Sequence, residues 1–214
     1  MNKLYSKVYG WLFAGLLLTF ATGAFLSSYE NAMINLMNGV GYIVILLVEF
    51  GLAIFLSARI HKMSGATATF CYLLYSFVTG ITFSTIFMAF EMKSLILIFL
   101  ITAIVFGIFA LFGTFTNLSL DKLGNTLLMM LLGIIIASLI NIFVGSNTMD
   151  IIICIIGMIV FIGYISYDMK KLPVLFDSLG EENGAIYGAF QLYLDFVNIF
   201  IRILQIFGRQ RDDK

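Results

Sequence analysis

Long apolar stretches recur along almost the whole chain, and short breaks containing charged residues or glycine separate them. Each stretch is about 20 residues long, enough for an α-helix to cross a hydrocarbon core of about 30 Å. The pattern predicts an all-α, multi-spanning membrane protein with one transmembrane domain over residues 1–214. Its seven predicted helices cover residues 8–27, 39–58, 67–90, 94–115, 126–145, 149–167 and 186–207.

Basic residues are distributed unevenly between the two sides that this topology creates. If the N-terminus is cytoplasmic, Lys93 is the one base in the opposite loops before the last helix, and seven bases lie on the cytoplasmic side: Lys3, Lys7, Arg59, Lys62, Lys122, Lys170 and Lys171. Cytoplasmic loops are enriched in Lys and Arg, so we expect this orientation. Seven full crossings then place Arg209, Arg211 and Lys214 outside, against the rule. Either the seventh helix is not a full span, or packing forces it across.

The last predicted helix is the least lipid-like. Polar or small residues follow one another at steps of three and four, which places them on one helical face: Gly184, Gly188, Gln191, Asp195, Asn198, Arg202 and Gln205. Such a stripe is costly in hydrocarbon, so this helix should lie inside the bundle. Small and polar residues also mediate helix packing, which is the simpler interpretation. The acid and the base within the stripe favour a polar pathway.

Three carboxylates are the candidate chemistry of the chain. Glu49 lies ten residues before Arg59, about 15 Å from that helix end at 1.5 Å per residue. Asp195 is near the middle of the last helix, and Asp168 is at the cytoplasmic end of the sixth. Two carboxylates that meet in an apolar site cannot both ionise at low cost, so they form a proton-sensitive pair. Alternatively, Asp168 forms a plain ion pair with Lys171.

Composition excludes several classes of protein. Residues are 61% hydrophobic and 11% charged, whereas soluble domains carry about 25% charged residues, so an ordinary soluble enzyme is excluded. Net charge is zero and basic tracts are absent from the sequence, which argues against a nucleic-acid partner. His61 is the only histidine, and Cys71 and Cys154 lie in apolar stretches, so we expect no cofactor. Membrane lipids are the expected surroundings, and a small ion-conducting protein is the expected class.

Hydroxyl side chains are frequent in the third predicted helix. We expect most of them to bond the backbone of their own helix, with pore lining as the alternative. They are Thr69, Tyr72, Tyr75, Ser76, Thr79, Thr82, Ser84 and Thr85.

Three motifs resemble those of a known family. The segment YISYDMKK ends the sixth helix, QLYLDFVNIFIRIL follows after a charged loop, and YSFVTGITFSTIF lies in the third helix. Together they resemble the transmembrane Bax inhibitor motif family, and the resemblance covers nearly the whole chain. The chain is identified as a member of this family on the basis of these motifs, and its small size and short termini favour a bacterial member.

The resemblance implies a seven-helix fold with the last helix central, and a pH-sensitive calcium leak across the membrane. It implies that Asp168 and Asp195 form the proton sensor, and that both are candidate calcium ligands. Arg59, which by itself looks like an interfacial orientation signal, matches the family's latch to the first aspartate. Glu49 matches the family's second-helix glutamate, and with Asp195 and Asn198 it is a predicted part of the ion pathway. The acids Asp177, Glu181 and Glu182 between the motifs depart from the family pattern.

Two other functions remain open at this point. The helices could regulate another membrane protein complex, such as a membrane protease, without conducting ions. An intramembrane aspartyl protease also carries two aspartates on successive helices, but the second acid there usually follows Gly-x-Gly, and here Leu-Tyr-Leu precedes Asp195. A Gly-x-Ser-x-Gly motif for a serine nucleophile is absent from the sequence. We therefore expect a non-enzymatic protein that handles calcium and protons in the cell membrane.

Overall fold

The structure, a computed structural model, describes residues 2–116 and 121–211, and it is helical throughout. The helices are α1 (Asn2–Ser27), α2 (Glu30–Met37), α3 (Val40–Arg59), α4 (Gly65–Ala89), α5 (Met92–Phe115), α6 (Asp121–Val144) and α7 (Asn147–Phe207), with a short 3₁₀ turn at Ile60–Lys62. Within these ranges the extended pairing is limited to one antiparallel bridge between Phe90 and Gln210. The all-α prediction is confirmed.

Helix α7 is one element of 61 residues with a sharp kink. Gly180 is its single non-helical residue, with φ 79° and ψ 173°. Only glycine adopts this backbone conformation readily, since a Cβ atom clashes there. We call the two arms α7a (147–179) and α7b (181–207).

The observed helices extend beyond several predicted bounds. The predicted sixth and seventh helices leave a loop at residues 168–185, whereas the structure is helical there except at Gly180. Leu172 and Phe176 are buried and one turn apart, so the extension of α7a is amphipathic. A search for wholly apolar windows misses such a segment. Helix α2 was also missed, because its eight residues are too few to span.

Six of the described helices are long and apolar enough to cross a membrane. Helix α7 counts once among them, although 61 residues of helix extend for about 90 Å, three times the thickness of a hydrocarbon core. Each of its two arms, α7a and α7b, is long enough for a crossing of its own. The chain is a multi-pass membrane protein.

The chain groups into two compact units that share α7. Unit 1 consists of the residues up to Met92, Leu172–Tyr193 and the C-terminal residues from Gln210, and unit 2 consists of Lys93–Lys171 and Leu194–Arg209. The prediction of one transmembrane domain stays a prediction.

In unit 1, α1 packs closely against α4. A Cβ atom at Gly15 would lie 2.0 Å from the Tyr72 hydroxyl oxygen, and one at Gly80 would lie 2.6 Å from the Cβ of Thr22. Small residues that let two helices approach in this way are typical of membrane helix interfaces.

The first part of α7b lies beside α4 in unit 1. At its start, the Asn183 amide donates to the carbonyl oxygen of Met63 at 2.9 Å, just before α4 begins. Farther along, the Tyr193 ring contacts the Tyr75 ring of α4, with centroids 5.8 Å apart. After its end, Gln210 pairs with Phe90, just beyond the end of α4. Within unit 1, the residues of α7b up to Tyr193 therefore run in the same direction as α4. A full crossing by the last helix stays a prediction.

Helix α7b is buried along most of its length. This burial confirms that the last helix lies in the interior, as the polar stripe and the family resemblance predicted. Its buried residues are Gly184, Ala185, Ile186, Gly188, Ala189, Phe190, Leu192, Tyr193, Asp195, Phe196, Val197, Ile199, Phe200, Ile203 and Leu204.

Unit 2 is built from α5, α6, α7a and the second half of α7b. Its apolar core includes Leu127 and Ile134 of α6 with Ile153 and Val160 of α7a. Phe196 of α7b packs its ring on two α5 rings, and the centroid distance to Phe106 is 5.7 Å. Both α7a and α7b therefore contribute apolar side chains to the packing of unit 2.

Candidate functional site

The carboxyl groups of Asp168 and Asp195 meet inside unit 2. Asp168 lies on α7a and is 5% exposed, and Asp195 lies on α7b and is 4% exposed. Their carboxyl groups are within hydrogen-bonding reach of each other. Because ionised carboxylates only accept hydrogen bonds, a bond between the two needs a proton on one of them. Such a bond can therefore form only in a state of the pair in which the two carboxyl groups share one proton.

One oxygen of this pair has no partner in the described part of the chain. Asp195 Oδ2 is buried and makes no hydrogen bond to any described residue. Leaving a buried acceptor unsatisfied costs about 1–3 kcal/mol. The Tyr164 hydroxyl of α7a is close enough to interact electrostatically with both aspartates. This oxygen is therefore available to the proton that a hydrogen bond between the two carboxyl groups needs.

Lys171 is near Asp168 but is not its direct partner. Its ammonium group bonds the Tyr167 hydroxyl and lies 4.2 Å from the centroid of that ring. It still interacts electrostatically with Asp168. Among the described residues, the direct ion pair joins Lys7 to Glu181, at 2.7 Å. The structure therefore favours the aspartate pair over the alternative ion pair with Lys171.

Glu49 is held by two threonines of α4 in unit 1. Thr79 donates to its Oε1 at 2.8 Å, and Thr82 donates to its Oε2 at 3.0 Å. The two threonines are three residues apart and share one face of α4. The Tyr75 hydroxyl also interacts with Glu49 electrostatically. Glu49 thus lies on the protein-facing side of α3, but its predicted role in an ion pathway stays a prediction.

The other hydroxyls of α4 behave partly as expected. Ser76 donates to the carbonyl oxygen of Tyr72 at 3.0 Å, and Ser84 donates to that of Ile81 at 2.6 Å. These bonds to the same helix confirm the prediction for both serines. Thr79 and Thr82 instead donate to Glu49 on another helix, which the sequence did not predict.

The side-chain amides of Asn198 and Gln191, both in the polar stripe, differ in their hydrogen bonding. Asn198 donates to the carbonyl oxygen of Leu194 at 2.8 Å, within its own helix. Gln191 Oε1 is buried without a hydrogen-bond partner in the described residues. The role of Asn198 in an ion pathway stays a prediction, since its bond also fits ordinary helix packing.

Arg202 is lodged against α7a in unit 2. Its Nη1 donates to the carbonyl oxygen of Ile153 at 3.2 Å, and its Cζ is 5.5 Å from the centroid of the Phe161 ring. Next to it, the Cys154 thiol donates to Gln205 Oε1 at 2.9 Å. Cys154 thus packs as a buried thiol, as predicted, although it also has a polar partner.

Arg59, the predicted latch, is the last residue of α3 and is exposed. Its role stays a prediction. The predicted calcium ligands Asp168 and Asp195 come together, but the described residues contain no cluster of three or more His, Cys, Asp or Glu side chains that could hold a metal. A calcium ion at the pair would therefore take most of its oxygen ligands from water or backbone.

Sequence reasoning missed Thr19 and Tyr193. The Tyr193 hydroxyl is 2.5 Å from Thr19 Oγ1, and Thr19 donates to the carbonyl oxygen of Ser76 at 2.8 Å. Tyr193 is fully buried. A tyrosine inside an apolar span usually needs a partner for its hydroxyl, so the position of Tyr193 is the signal that the sequence offers.

Comparison with known proteins gives relatives over nearly the full length. The chain is 38% identical to Inner membrane protein YbhL of Escherichia coli (strain K12), covering 96% of this chain and 91% of that protein. It is 36% identical to an uncharacterized protein of Borreliella burgdorferi, covering 99% and 94%. It is 32% identical to protein RP147 of Rickettsia prowazekii, also uncharacterized, covering 99% and 92%.

The profile of the family described as inhibitor of apoptosis-promoting Bax1 matches residues 1–212. The match covers all three motifs and both members of the buried aspartate pair. The family predicted from the motifs is confirmed, and the chain belongs to the Bax inhibitor family.

Proposed function

We propose that this protein is a pH-sensitive calcium leak channel of the bacterial cell membrane, gated by protonation of Asp168 and Asp195. The observation that carries the proposal is the contact between these two buried carboxyl groups across α7a and α7b. Ionisable residues inside membrane spans usually mark ion or proton pathways.

The chemistry of the pair explains how a proton could act. With one shared proton, the carboxyl groups hold α7a to α7b by a hydrogen bond. Without that proton, two negative charges repel across a short distance in an apolar environment. The carboxylates then offer hard oxygen ligands of the kind that Ca²⁺ prefers, and Asp195 Oδ2 is already without a partner in the described residues.

Other residues take supporting roles in this proposal. Arg59 serves as the latch for Asp168, and Glu49 and Asn198 contribute to the ion pathway. The N-terminus is cytoplasmic, which places Arg59 at the end of α3 and the bases Lys170 and Lys171 of α7a on the cytoplasmic side. Membrane lipids surround the helices, and the chain is not an enzyme.

The test is calcium flux into proteoliposomes with pH varied on one side. We expect flux in the wild type that depends on pH, and we expect Asp195→Asn to remove that dependence. The matched control is Asp177→Asn, which neutralises an exposed acid on α7a and should leave the pH profile unchanged. Flux that ignores both pH and Asp195→Asn contradicts the proposal. No flux at all, together with a stoichiometric co-purifying membrane protein, supports the regulatory alternative instead.

A further inference from the structure

Arg202 carries a positive charge near the end of α7b and has no acidic partner among the described residues. The direct ion pair in that part of the chain joins Lys7 to Glu181 instead. The Arg202 side chain is half-buried, and its Nε is buried without a hydrogen-bond partner in the described ranges. A charge in a membrane protein is costly to bury unless it is paired. The guanidinium group therefore lacks a counter-ion.

The contacts that Arg202 makes with α7a are all with neutral groups. Its Nη1 donates to the carbonyl oxygen of Ile153 at 3.2 Å, and its Cζ is 5.5 Å from the centroid of the Phe161 ring. A Cβ atom at Gly157 would lie 2.4 Å from Nε, so the guanidinium group lies directly against the α7a backbone. A carbonyl oxygen and an aromatic ring attract a cation, but they supply no net negative charge.

Gln205 adds a second hydrogen-bond donor next to Arg202. It follows Arg202 by three residues, which places the two side chains on one face of α7b, and it is exposed. Its Oε1 accepts from the Cys154 thiol at 2.9 Å, so the other branch of the amide is the NH₂ group, which only donates. Cys154 also interacts electrostatically with Arg202, but as a thiol that donates to Gln205 it is neutral.

The acid one turn before Cys154, Asp150, has a different partner. It interacts electrostatically with Cys154, but its Oδ1 accepts from the Asn141 amide at 2.5 Å. The same amide group donates to the carbonyl oxygen of Ser146 at 3.1 Å. The Asp150 carboxylate is therefore held at the turn between α6 and α7a, and within the described ranges it forms no ion pair with Arg202.

The depth of Arg202 matches the boundary between lipid headgroups and hydrocarbon. Arg202 lies five residues before Phe207, the last residue of α7b, which is about 7.5 Å at 1.5 Å per residue. Its contact residue Ile153 lies six residues after Asn147, the first residue of α7a, which is about 9 Å. The headgroup region is about 5–7 Å thick on each side of the hydrocarbon core. A guanidinium group at this depth reaches the phosphate groups of lipids.

A surface for acyl chains borders the site on α7a. Ile152, Ile156 and Ile159 follow one another at steps of four and three, and they are 50%, 40% and 59% exposed. Because Ile156 is three residues after Ile153, this apolar face adjoins the face that contacts Arg202. A free anion gains nothing from such a surface, whereas the acyl chains of a phospholipid cover it.

We propose that Arg202 and Gln205 form a binding site for the phosphate group of an anionic phospholipid, whose acyl chains lie on the exposed isoleucines of α7a. The lipid supplies the negative charge that the described surroundings of Arg202 lack. Its phosphate oxygens accept from the guanidinium group, which suits pairs of oxygen atoms, and from the Gln205 amide. The site is separate from the aspartate pair, and the proposal holds whether or not the protein conducts calcium.

The first test measures lipid binding directly. Native mass spectrometry of the full chain in detergent, titrated with phosphatidylglycerol, gives the apparent Kd of the tightest-bound lipid. We expect Arg202→Gln to raise this Kd by about tenfold or more, because a hydrogen bond to a charged group is lost. Arg202→Lys should raise it less, since it keeps the charge but not the planar guanidinium group.

The matched control is Arg209→Gln, which removes an exposed base just beyond the end of α7b and should leave the Kd nearly unchanged. Equal Kd values in the wild type and Arg202→Gln overturn the proposal.

Two further ligands identify the source of the phosphate group. Phosphatidylcholine carries the same phosphate without a net charge, so we expect it to bind more weakly than phosphatidylglycerol. Inorganic phosphate carries the charge without acyl chains, so it should not displace phosphatidylglycerol when chloride at equal ionic strength is the reference. Equal binding of the two lipids contradicts the need for a negative charge. Displacement by millimolar inorganic phosphate assigns the site to a free anion and overturns the lipid proposal.

A second variant tests the site without removing the half-buried charge. Gln205→Ala changes an exposed residue, and we expect it to raise the Kd for phosphatidylglycerol by about two- to tenfold. Its control is Gln210→Ala, an exposed amide beyond the end of α7b. Added phosphatidylglycerol should raise the Tm of the wild type and Gln210→Ala more than that of Gln205→Ala and Arg202→Lys. An equal rise in all four proteins contradicts the proposal, because Arg202 and Gln205 would then serve only helix packing.

Discussion

The guanidinium group of Arg202 occupies the space that a side chain at Gly157 would need. A Cβ atom at Gly157 would lie 2.2 Å from Arg202 Cζ. Gly157→Ala should therefore displace the guanidinium from the carbonyl oxygen of Ile153. We expect the free energy of unfolding to fall by about 1–3 kcal/mol, the usual cost of overpacking. The change is measured as a lower Tm in detergent.

The matched control for this prediction is Gly133→Ala on α6. No described atom beyond its own helix lies within 4 Å of a Cβ atom there. Since alanine is a better helix former than glycine by about 0.5–1 kcal/mol, this variant should be at least as stable as the wild type. A similar fall in Tm in the two variants would show that the contact with Arg202 is not the reason why residue 157 must be glycine.

Gly180→Ala should destabilise the protein through backbone strain at residue 180, without a steric clash. Gly180 has φ 79° and ψ 173°, and open space surrounds its missing Cβ. Holding a residue other than glycine in such a region costs about 1–3 kcal/mol. We expect a lower Tm for Gly180→Ala, with Gly10→Ala as control, since Gly10 is helical and equally open. An unchanged Tm would mean that the two arms can meet without this kink.

The course of α7b predicts which residues share a side of the membrane. Gln210 pairs with Phe90, whereas Asn183 bonds the residues just before α4. A cysteine introduced by Glu91→Cys or Gln210→Cys should react with a membrane-impermeant maleimide from one side, and Lys62→Cys should react from the other. Cys71 and Cys154 are buried and should remain unlabelled. Labelling of Gln210→Cys from the same side as Lys62→Cys would contradict the full crossing.

The ion pair between Lys7 and Glu181 predicts a small effect of acid. The hydrogen bond and charge of Lys7 lower the pKa of the Glu181 carboxyl group below its ordinary value. Because the pKa of Glu181 is lower in the folded protein, the ion pair stabilises the fold at a pH above the unfolded-state pKa of about 4.3. This stabilisation is lost as the pH falls through the lowered pKa of the folded protein. Both side chains are exposed, 46% and 61%, so the effect should be slight.

The measurement compares Tm at neutral and acidic pH for the wild type and Lys7→Gln. We expect Lys7→Gln to lower the Tm slightly at neutral pH and to make no difference once Glu181 is protonated. Asp177→Asn, an exposed acid outside this pair, serves as control. A Tm difference that persists in acid would assign the role of Lys7 to packing.

The sequence predicted the spans well because apolar length is a local property. Charge and spacing also selected Asp195, since an acid at the centre of a span needs a partner. The motif resemblance was needed for Asp168, because a lysine three residues later offered an equal explanation. The kink at Gly180 and the amphipathic end of α7a depend on contacts, so apolar windows could not show them.

The hydrogen-bond partners of Glu49 could not be predicted from the sequence for a similar reason. A threonine that bonds its own helix and one that bonds a neighbouring helix look alike in sequence. The difference depends on which face of α4 turns toward α3. Tyr193 belongs to the same class, since its role follows from Thr19, which is 174 positions away.

Tyr193 and Asp195 are two residues apart on α7b, yet Tyr193 belongs to unit 1 and Asp195 to unit 2. A helix turns by about 100° per residue, so one residue inserted or deleted between them would rotate one site away from its partners while the other stayed in place. Substitutions here change single contacts, but a change in length disconnects one unit from the helix. Related chains should therefore keep the spacing between these two positions constant, with length variation confined to the connections between spans.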